Sequence, residues 1–510
     1  MIQKKHILSI LAVLFLPLFA VAQTGVLPRS QAWEQNVDPQ ALLEFVKAVT
    51  ETKDTELHHL MVVRGGAVLA EIHPEPFRAE DRHTLYSASK TFTALAAGLA
   101  YDDNLLRIND RVASFFPEFL PDSVSEKLAE MTVKDLLTMS SGIVPDWEMR
   151  SNTTKWIQTW LAKNVIDPGK QLRYDSMTTY MLSAVVQKVT GKTIMDLLRE
   201  RIFTPMGISE VEWEESPEGI NTGGWGLHIQ TESEAKIGML LCHKGEWEGK
   251  QLVSREWIEQ MTSKQIPTGN PNDPPADNNQ GYGYEPWMSM DPGAFCANGA
   301  FGQYIAMVPQ KDVVVVISER SGQGAQQLKH IWNILMPGVK DEPVEPDEAA
   351  EKAIADFCNK QKLPVDKGKK SVMMSKPVEK TMGAFTIKLQ GAPTMTIEPR
   401  GGVYQLTWAL KEGPMKSVPL AFDQWSYRTN SDQPPYSITP RGRFTGLGRQ
   451  WTTAGRYCWT NGQTLKMQVQ WVNWISARYI TVDFKEMKVT VRDNFTGKTI
   501  AYNIQSYQGS

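Results

Sequence analysis

A charged, proline-rich stretch, Lys340-Asp341-Glu342-Pro343-Val344-Glu345-Pro346-Asp347, interrupts this chain past its midpoint and separates two kinds of hydrophobic patterning. Proline fixes φ and removes a backbone donor, so neither a helix nor a sheet runs through such a stretch, and it marks a boundary. Before it, strand-like runs stand at both ends of the sequence. Residues 60–63 and 67–72 flank Gly65-Gly66, a hairpin signal, and residues 304–308 and 313–318 flank Pro309-Gln310-Lys311-Asp312. Helical spacing of apolar residues covers 39–52, 87–101, 131–139, 178–190, 194–203, 232–243 and 324–335. Strands at both ends with helices between predict one sheet assembled from the two ends of an α+β domain over residues 23–340. Residues 341–372 read as a linker carrying one helix that ends near Lys360. From 373 to 510, short alternating strands lie between Gly, Pro, Asn and Asp turns, which predicts an all-β barrel or sandwich with antiparallel strands.

The formal net charge of −3 over 510 residues leaves no basic excess with which to hold nucleic acid. At the N-terminus, Lys4, Lys5 and His6 precede an apolar run from Ile7 to Phe19 that ends in Ala20-Val21-Ala22 before Gln23. That run is shorter than the roughly 20 residues of a spanning helix, and small residues close it. The pattern is that of a signal peptide over residues 1–22, and it predicts a periplasmic or secreted protein with no membrane span after cleavage. Four cysteines are too few for a disulfide scaffold, although an oxidising compartment would permit a bridge between Cys358 of the linker helix and Cys458 of the β region. Cys242, in Met239-Leu240-Leu241-Cys242, reads as a buried small hydrophobe. There is no CxxC and no HExxH, and the eight histidines show no ligand spacing, so neither a metal nor another cofactor is expected.

Ser87 stands three residues before Lys90, where a loop runs into the helix predicted over 87–101. Residues three apart share a helix face, so the amine reaches the hydroxyl. The first turn carries the positive end of the helix dipole and burial penalises charge, which together bias Lys90 toward the neutral amine that acts as a base. Alone, Ser-x-x-Lys also describes an N-cap serine beside a solvated lysine. Two further segments bear on the choice. Tyr174 stands two residues before Ser176 at the approach to the next helix, and Ala297-Asn298-Gly299-Ala300-Phe301-Gly302 leads into the strand at 304–308, where glycine lets backbone approach a ligand closely.

In this order the three elements resemble the serine β-lactamase and penicillin-binding-protein superfamily, most closely the branch of class C β-lactamases, D-aminopeptidases, esterases and 6-aminohexanoate-dimer hydrolases. Asp135-Leu136-Leu137-Thr138-Met139-Ser140-Ser141-Gly142, Pro205-Met206-Gly207-Ile208, Gly223-Gly224-Trp225-Gly226-Leu227 and Gly245-Glu246-Trp247 look like the same branch, and the likeness extends over about residues 55–335. It implies a β-lactamase-like fold, an antiparallel sheet plus a helical lobe, and a serine hydrolase that cleaves an ester or amide through an acyl-serine. Carried over by motif, Ser87 is the nucleophile, Lys90 its partner and Tyr174 the relay to the leaving group, with the general base left open between Lys90 and Tyr174. Backbone N–H groups of Ser87 and Ala300 would form the oxyanion hole, with Ser176, Ala297 and Gly299 on the substrate side.

The family's Lys-Thr-Gly is replaced here by Ala297-Asn298-Gly299, which removes the cation that grips a substrate carboxylate. The replacement favours small-molecule esters or amides over D-residue peptides and β-lactams. A penicillin-receptor-like domain acylated without turnover is a second reading, opposed by the presence of all three side chains. A Ser-His-Asp hydrolase is a third; the chain has no G-x-S-x-G elbow, and no pattern pairs His228 with a serine. The β region resembles the lipocalin-like extensions of some peptidases and esterases of the branch, in which Trp425, Trp451, Trp459, Trp471 and Trp474 either line a groove or pack a core.

Overall fold

The glycine pair at 65–66 closes a hairpin between Thr55–Arg64 and Ala67–Ile72, and Val313–Ser321 pairs with the first of these strands from the far end of the domain. This is seen in the computed structural model, which describes residues 25–370 apart from 271 and 323–324, and residues 385–509 apart from 411–412, 432–433, 435–446 and 449. The predicted signal at 1–22 lies outside the described residues. Six antiparallel strands follow in the spatial order Ala67–Ile72, Thr55–Arg64, Val313–Ser321, Gln303–Val308, Phe295–Gly299, Trp287–Met288. Side chains alternate across a strand, and the central strands are covered on both faces. Met61, Val63, Val314 and Val316 therefore enter the core of the helical lobe, while Leu60, Val62, Val315 and Ile317 meet the helices Pro39–Thr50 and Glu348–Cys358.

Within the lobe, Ser89–Asp102 is buried from Ser89 to Ala100 and packs against Ser176–Thr190. The helix predicted over 131–139 contracts to Val133–Leu137, started by a capping box of Thr132 and Asp135 and ended by Met139 at φ 54°. A small sheet of Arg82–Thr84, Leu227–Gln230 and Val211–Trp213 was not anticipated from sequence, because strands of three or four residues are too short to register an alternating pattern.

The C-terminal strands form one ten-stranded antiparallel sheet from Gly413–Leu420 at one edge to Ser426–Asn430 at the other. Its ends nearly meet: the Tyr457 N–H donates to the Ala421 carbonyl at 2.8 Å, so the sheet is a nearly closed barrel. Trp451, Trp459, Trp471 and Trp474 fill the barrel core, and Trp425 packs with Phe77, Leu363 and Val472 where barrel and catalytic lobe meet. The tryptophans are packing residues. Among the described residues no helix is long and apolar enough to cross a membrane.

The Cys358–Cys458 bridge that the sequence permitted does not form; all four cysteines are free. The two stand in different parts of the structure. Cys358 packs beside the sheet with Ile354, whereas Cys458 lies on the barrel strand Trp451–Asn461. Alkylation in denaturant without reductant should therefore modify all four thiols, as read from the intact mass; two unmodified cysteines would show a bridge.

Candidate active site

Ser87 sits in a tight 3-10 turn, Tyr86–Ala88, directly ahead of the helix that begins at Ser89. Lys90 is in the first turn of that helix, fully buried, and its Nζ has three acceptors: Ser87 Oγ at 3.1 Å, Ser176 Oγ at 2.7 Å and the Gly224 carbonyl at 2.6 Å. The same helix is fastened alongside. Thr93 Oγ1 donates to the Gly223 carbonyl at 2.9 Å, and the Leu227 N–H donates to Ser89 Oγ at 3.1 Å. A Cβ at Gly224 would lie 2.5 Å from the Ser176 carbonyl oxygen, so the close approach of these segments requires glycine there.

Tyr174 precedes Asp175, whose carboxylate caps the helix Ser176–Thr190 through the Met177 N–H at 3.1 Å. Its ring is walled by Tyr282 and Trp287, and Lys90 Nζ lies 4.8 Å from its centroid. From the other side, Gly299 brings the strand end against the Ser87 turn: a Cβ there would meet the Leu85 carbonyl oxygen at 2.2 Å and the Ala88 nitrogen at 3.2 Å. Ser87, Tyr174, Asn298 and Ala300 line one cavity of about 260 Å³. It adjoins a larger one of about 650 Å³, with Asp277, Asn278, Asn298 and Ala300 bordering both.

The structure thus gathers Ser87, Lys90, Tyr174, Ser176, Gly299 and Ala300 at one place. Ala297 is different: its methyl group is buried in the lobe core beside Ile305, and the neighbouring Asn298 lines the cavity instead. Two contributors were missed from sequence. The Gly224 carbonyl could have been suspected from the Gly223-Gly224 doublet. Glu285 gave no signal, being an ordinary carboxylate in the sequence, yet it is buried at φ 78° and accepts from the Tyr282 hydroxyl at 2.9 Å.

Burial dominates the electrostatics. Desolvation pulls the Lys90 ammonium down to about 7, only partly opposed by the charges of Glu285 and Asp175. Desolvation raises the Tyr174 phenol above its ordinary value, its hydrogen bond with Ser87 offsetting part of the shift, and lifts Glu285 to about 8. Near neutral pH the site therefore holds an accessible free amine and a neutral phenol beside one hydroxyl. Such a set can take a proton from Ser87 and deliver one to a departing group. Among the described residues no group of three or more His, Cys, Asp or Glu is placed to hold a metal ion.

The family model described as Beta-lactamase matches residues 51–334, more than half of the chain. The chain belongs to the beta-lactamase family. Within it, the chain is 22% identical over 223 residues to a 6-aminohexanoate-dimer hydrolase of Paenarthrobacter ureafaciens, an alignment covering 39% of this chain and 56% of that protein. It is 27% identical over 179 residues to a lovastatin esterase of Penicillium rubens, covering 29% and 44% respectively. The chain spans about half the length of the curated relatives it matches. The solved structure named "Putative 6-aminohexanoate-dimer hydrolase from Bacillus anthracis" superposes with a TM-score of 0.50 at 17% identity, over 61% of this chain and 86% of that one, and shares its fold. The beta-lactamase-like fold and the all-β barrel are thus as expected from the sequence.

A serine-directed fluorophosphonate should label this beta-lactamase-family site at Ser87, at a rate that rises with pH through about 7 as Lys90 loses its proton. A rate independent of pH between 5.5 and 8.5 would contradict the role of a buried amine.

Proposed function

We propose that the protein is a serine hydrolase that cleaves small neutral esters or amides through an acyl-Ser87 intermediate. The observation that carries this reading is the hydrogen bond between Lys90 Nζ and Ser87 Oγ inside a site that lowers the amine to about 7. Lys90 takes the hydroxyl proton as Ser87 Oγ bonds to the carbonyl carbon, and the carbonyl electron pair moves onto oxygen. The backbone N–H groups of Ser87 and Ala300, on the two sides of the cavity, receive that oxyanion. Collapse of the adduct breaks the bond to the leaving group. Tyr174, a neutral phenol, protonates it and is recharged by Lys90. Water then attacks the acyl carbon by the same route and frees Ser87. This assigns the base to Lys90 and the relay to Tyr174, since only the amine is near its deprotonation range at neutral pH.

The relatives support amide or ester chemistry in the same family, one named for a 6-aminohexanoate dimer and the other for lovastatin. Specificity for neutral substrates rests on the cavity lining. Among the described residues that line the smaller cavity none is a cation to hold a carboxylate: Asn298 and Asn278 border it, Lys329 lines only the adjoining larger one, and Asp277 adds a negative neighbour, held by the Trp332 indole N–H at 2.9 Å and the Met290 N–H at 3.0 Å. A charge-assisted hydrogen bond contributes about 1.5–3 kcal/mol, so its absence is worth roughly 10- to 150-fold in discrimination.

Ser87→Ala should abolish hydrolysis of p-nitrophenyl esters and covalent labelling with the fold intact by circular dichroism; retained turnover would overturn the mechanism. Lys90→Ala and Tyr174→Phe should each lower kcat/KM by about 100- to 10,000-fold. Between matched substrates differing only in a free or methylated carboxylate, the neutral member should have the higher kcat/KM. Faster cleavage of the acid, or of penicillins and D-alanyl peptides, would overturn the substrate class.

A further inference from the structure

The two proposed oxyanion donors are each next to a residue in an uncommon conformation. Tyr86, immediately before Ser87, has φ 46°, and Phe301, immediately after Ala300, has φ 65°. Bulky side chains avoid the left-handed region, where the Cβ crowds the following carbonyl. Neither position is a glycine, so surrounding structure must hold both backbones there. The two rings meet edge to face, 5.2 Å between centroids at 65°.

The C-terminal barrel supplies the holding structure. Tyr86 belongs to the barrel's hydrophobic cluster, with its ring 5.9 Å from that of Trp474, and Phe301 packs 4.9 Å from Phe495. Trp474 is fixed from behind by His228, stacked at 4.9 Å, and by Trp451, edge-on at 5.4 Å. His228 stands on the strand that pairs with Arg82–Thr84, the segment leading into the nucleophile turn. The neighbouring Asn473 Nδ2 donates to the Arg82 carbonyl at 3.2 Å. An aromatic latch thus runs from Phe495 through Phe301 and Tyr86 to Trp474, crossing between the backbones that carry the Ala300 and Ser87 N–H groups.

We propose that the barrel is part of the catalytic apparatus: through Trp474 and Phe495 it clamps Tyr86 and Phe301 and so sets the spacing of the two oxyanion donors. Trp474 and Phe495 are positioning residues and touch no substrate. The inference rests on the hydrolase reading above, because an oxyanion hole matters only if Ser87 is acylated. Small displacements of a preorganised site are expensive: misplacement by about 1 Å lowers rates about 100-fold, and loss of one donor costs about 100- to 1,000-fold.

The test uses the full chain with p-nitrophenyl butyrate as substrate, rates being divided by the concentration of active sites titrated with a fluorophosphonate. Phe495→Ala and Trp474→Ala should lower kcat per titrated site by about 10- to 100-fold with KM within about threefold of wild type. Phe495→Leu and Trp474→Phe, which keep bulk against the latch, should recover most of that loss. Trp408→Phe is the control. Trp408 is buried in the same barrel cluster but packs against Tyr502, away from the latch, so it should lower the melting temperature and leave kcat per site unchanged. Should Trp474→Ala fail to fold, Phe495→Ala decides alone, since Phe495 is only partly buried. Wild-type kcat per site in Phe495→Ala, or an equal loss in Trp408→Phe, would overturn the latch while Ser87 labelling still stands. Absence of labelling at Ser87 in the wild type would instead overturn the hydrolase reading itself.

Discussion

Lys90 Nζ is the point on which the catalytic lobe converges, because a buried amine must find acceptors and its acceptors come from three separated stretches of chain. Ser87 is on its own turn, Ser176 opens a second helix, and Gly224 lies on the approach to the strand Leu227–Gln230. Burying an amine without partners costs several kcal/mol, so each contact constrains how closely those segments pack. The glycine at 224 follows from that constraint. The same burial that makes the contacts obligatory also brings the amine into its working range, so packing and reactivity have one cause.

Around that centre the molecule is built in layers, and the family relationship covers only some of them. The match over residues 51–334 takes in the sheet, the helical lobe and the cavity. The barrel lies beyond it, yet Tyr86 is buried among barrel side chains one residue from Ser87. Tyr86 stands at φ 46°, and the aromatic surface of Trp474 gives its ring a place. The linker helix serves the lobe rather than a hinge, since Ile354 is buried against the sheet layer and the Glu351 carboxylate accepts from the Ala32 N–H.

Much of this was legible in the chain. The hairpin at Gly65-Gly66, the strands returning near residue 313 and the break at Pro343 each express a local rule, and local rules survive without tertiary information. Ser87 and Lys90 could be paired because three residues on a helix are neighbours wherever the helix lies. Other parts were not legible. Ala297 and Asn298 are adjacent in sequence, and only the pleat of the strand decides that the first enters the core and the second the cavity. The histidines read as unrelated, but His58, His59 and His83 gather around Phe77, with His58 Nδ1 2.9 Å from His83 Nε2 and His59 Nδ1 2.8 Å from His73 Nδ1.

By itself the sequence determined the two patterns of secondary structure and the pairing of Ser87 with Lys90, since periodicity and short spacing act over a few residues. Tertiary structure alone decided which distant carbonyl receives the Lys90 proton donor, that Glu285 shares the site, that Cys358 and Cys458 stay apart, and that the barrel reaches the Ser87 turn. The physical reason is common to all four. Desolvation, close approach and ring contact depend on what the rest of the chain brings within a few ångströms, and no local spacing encodes that neighbour.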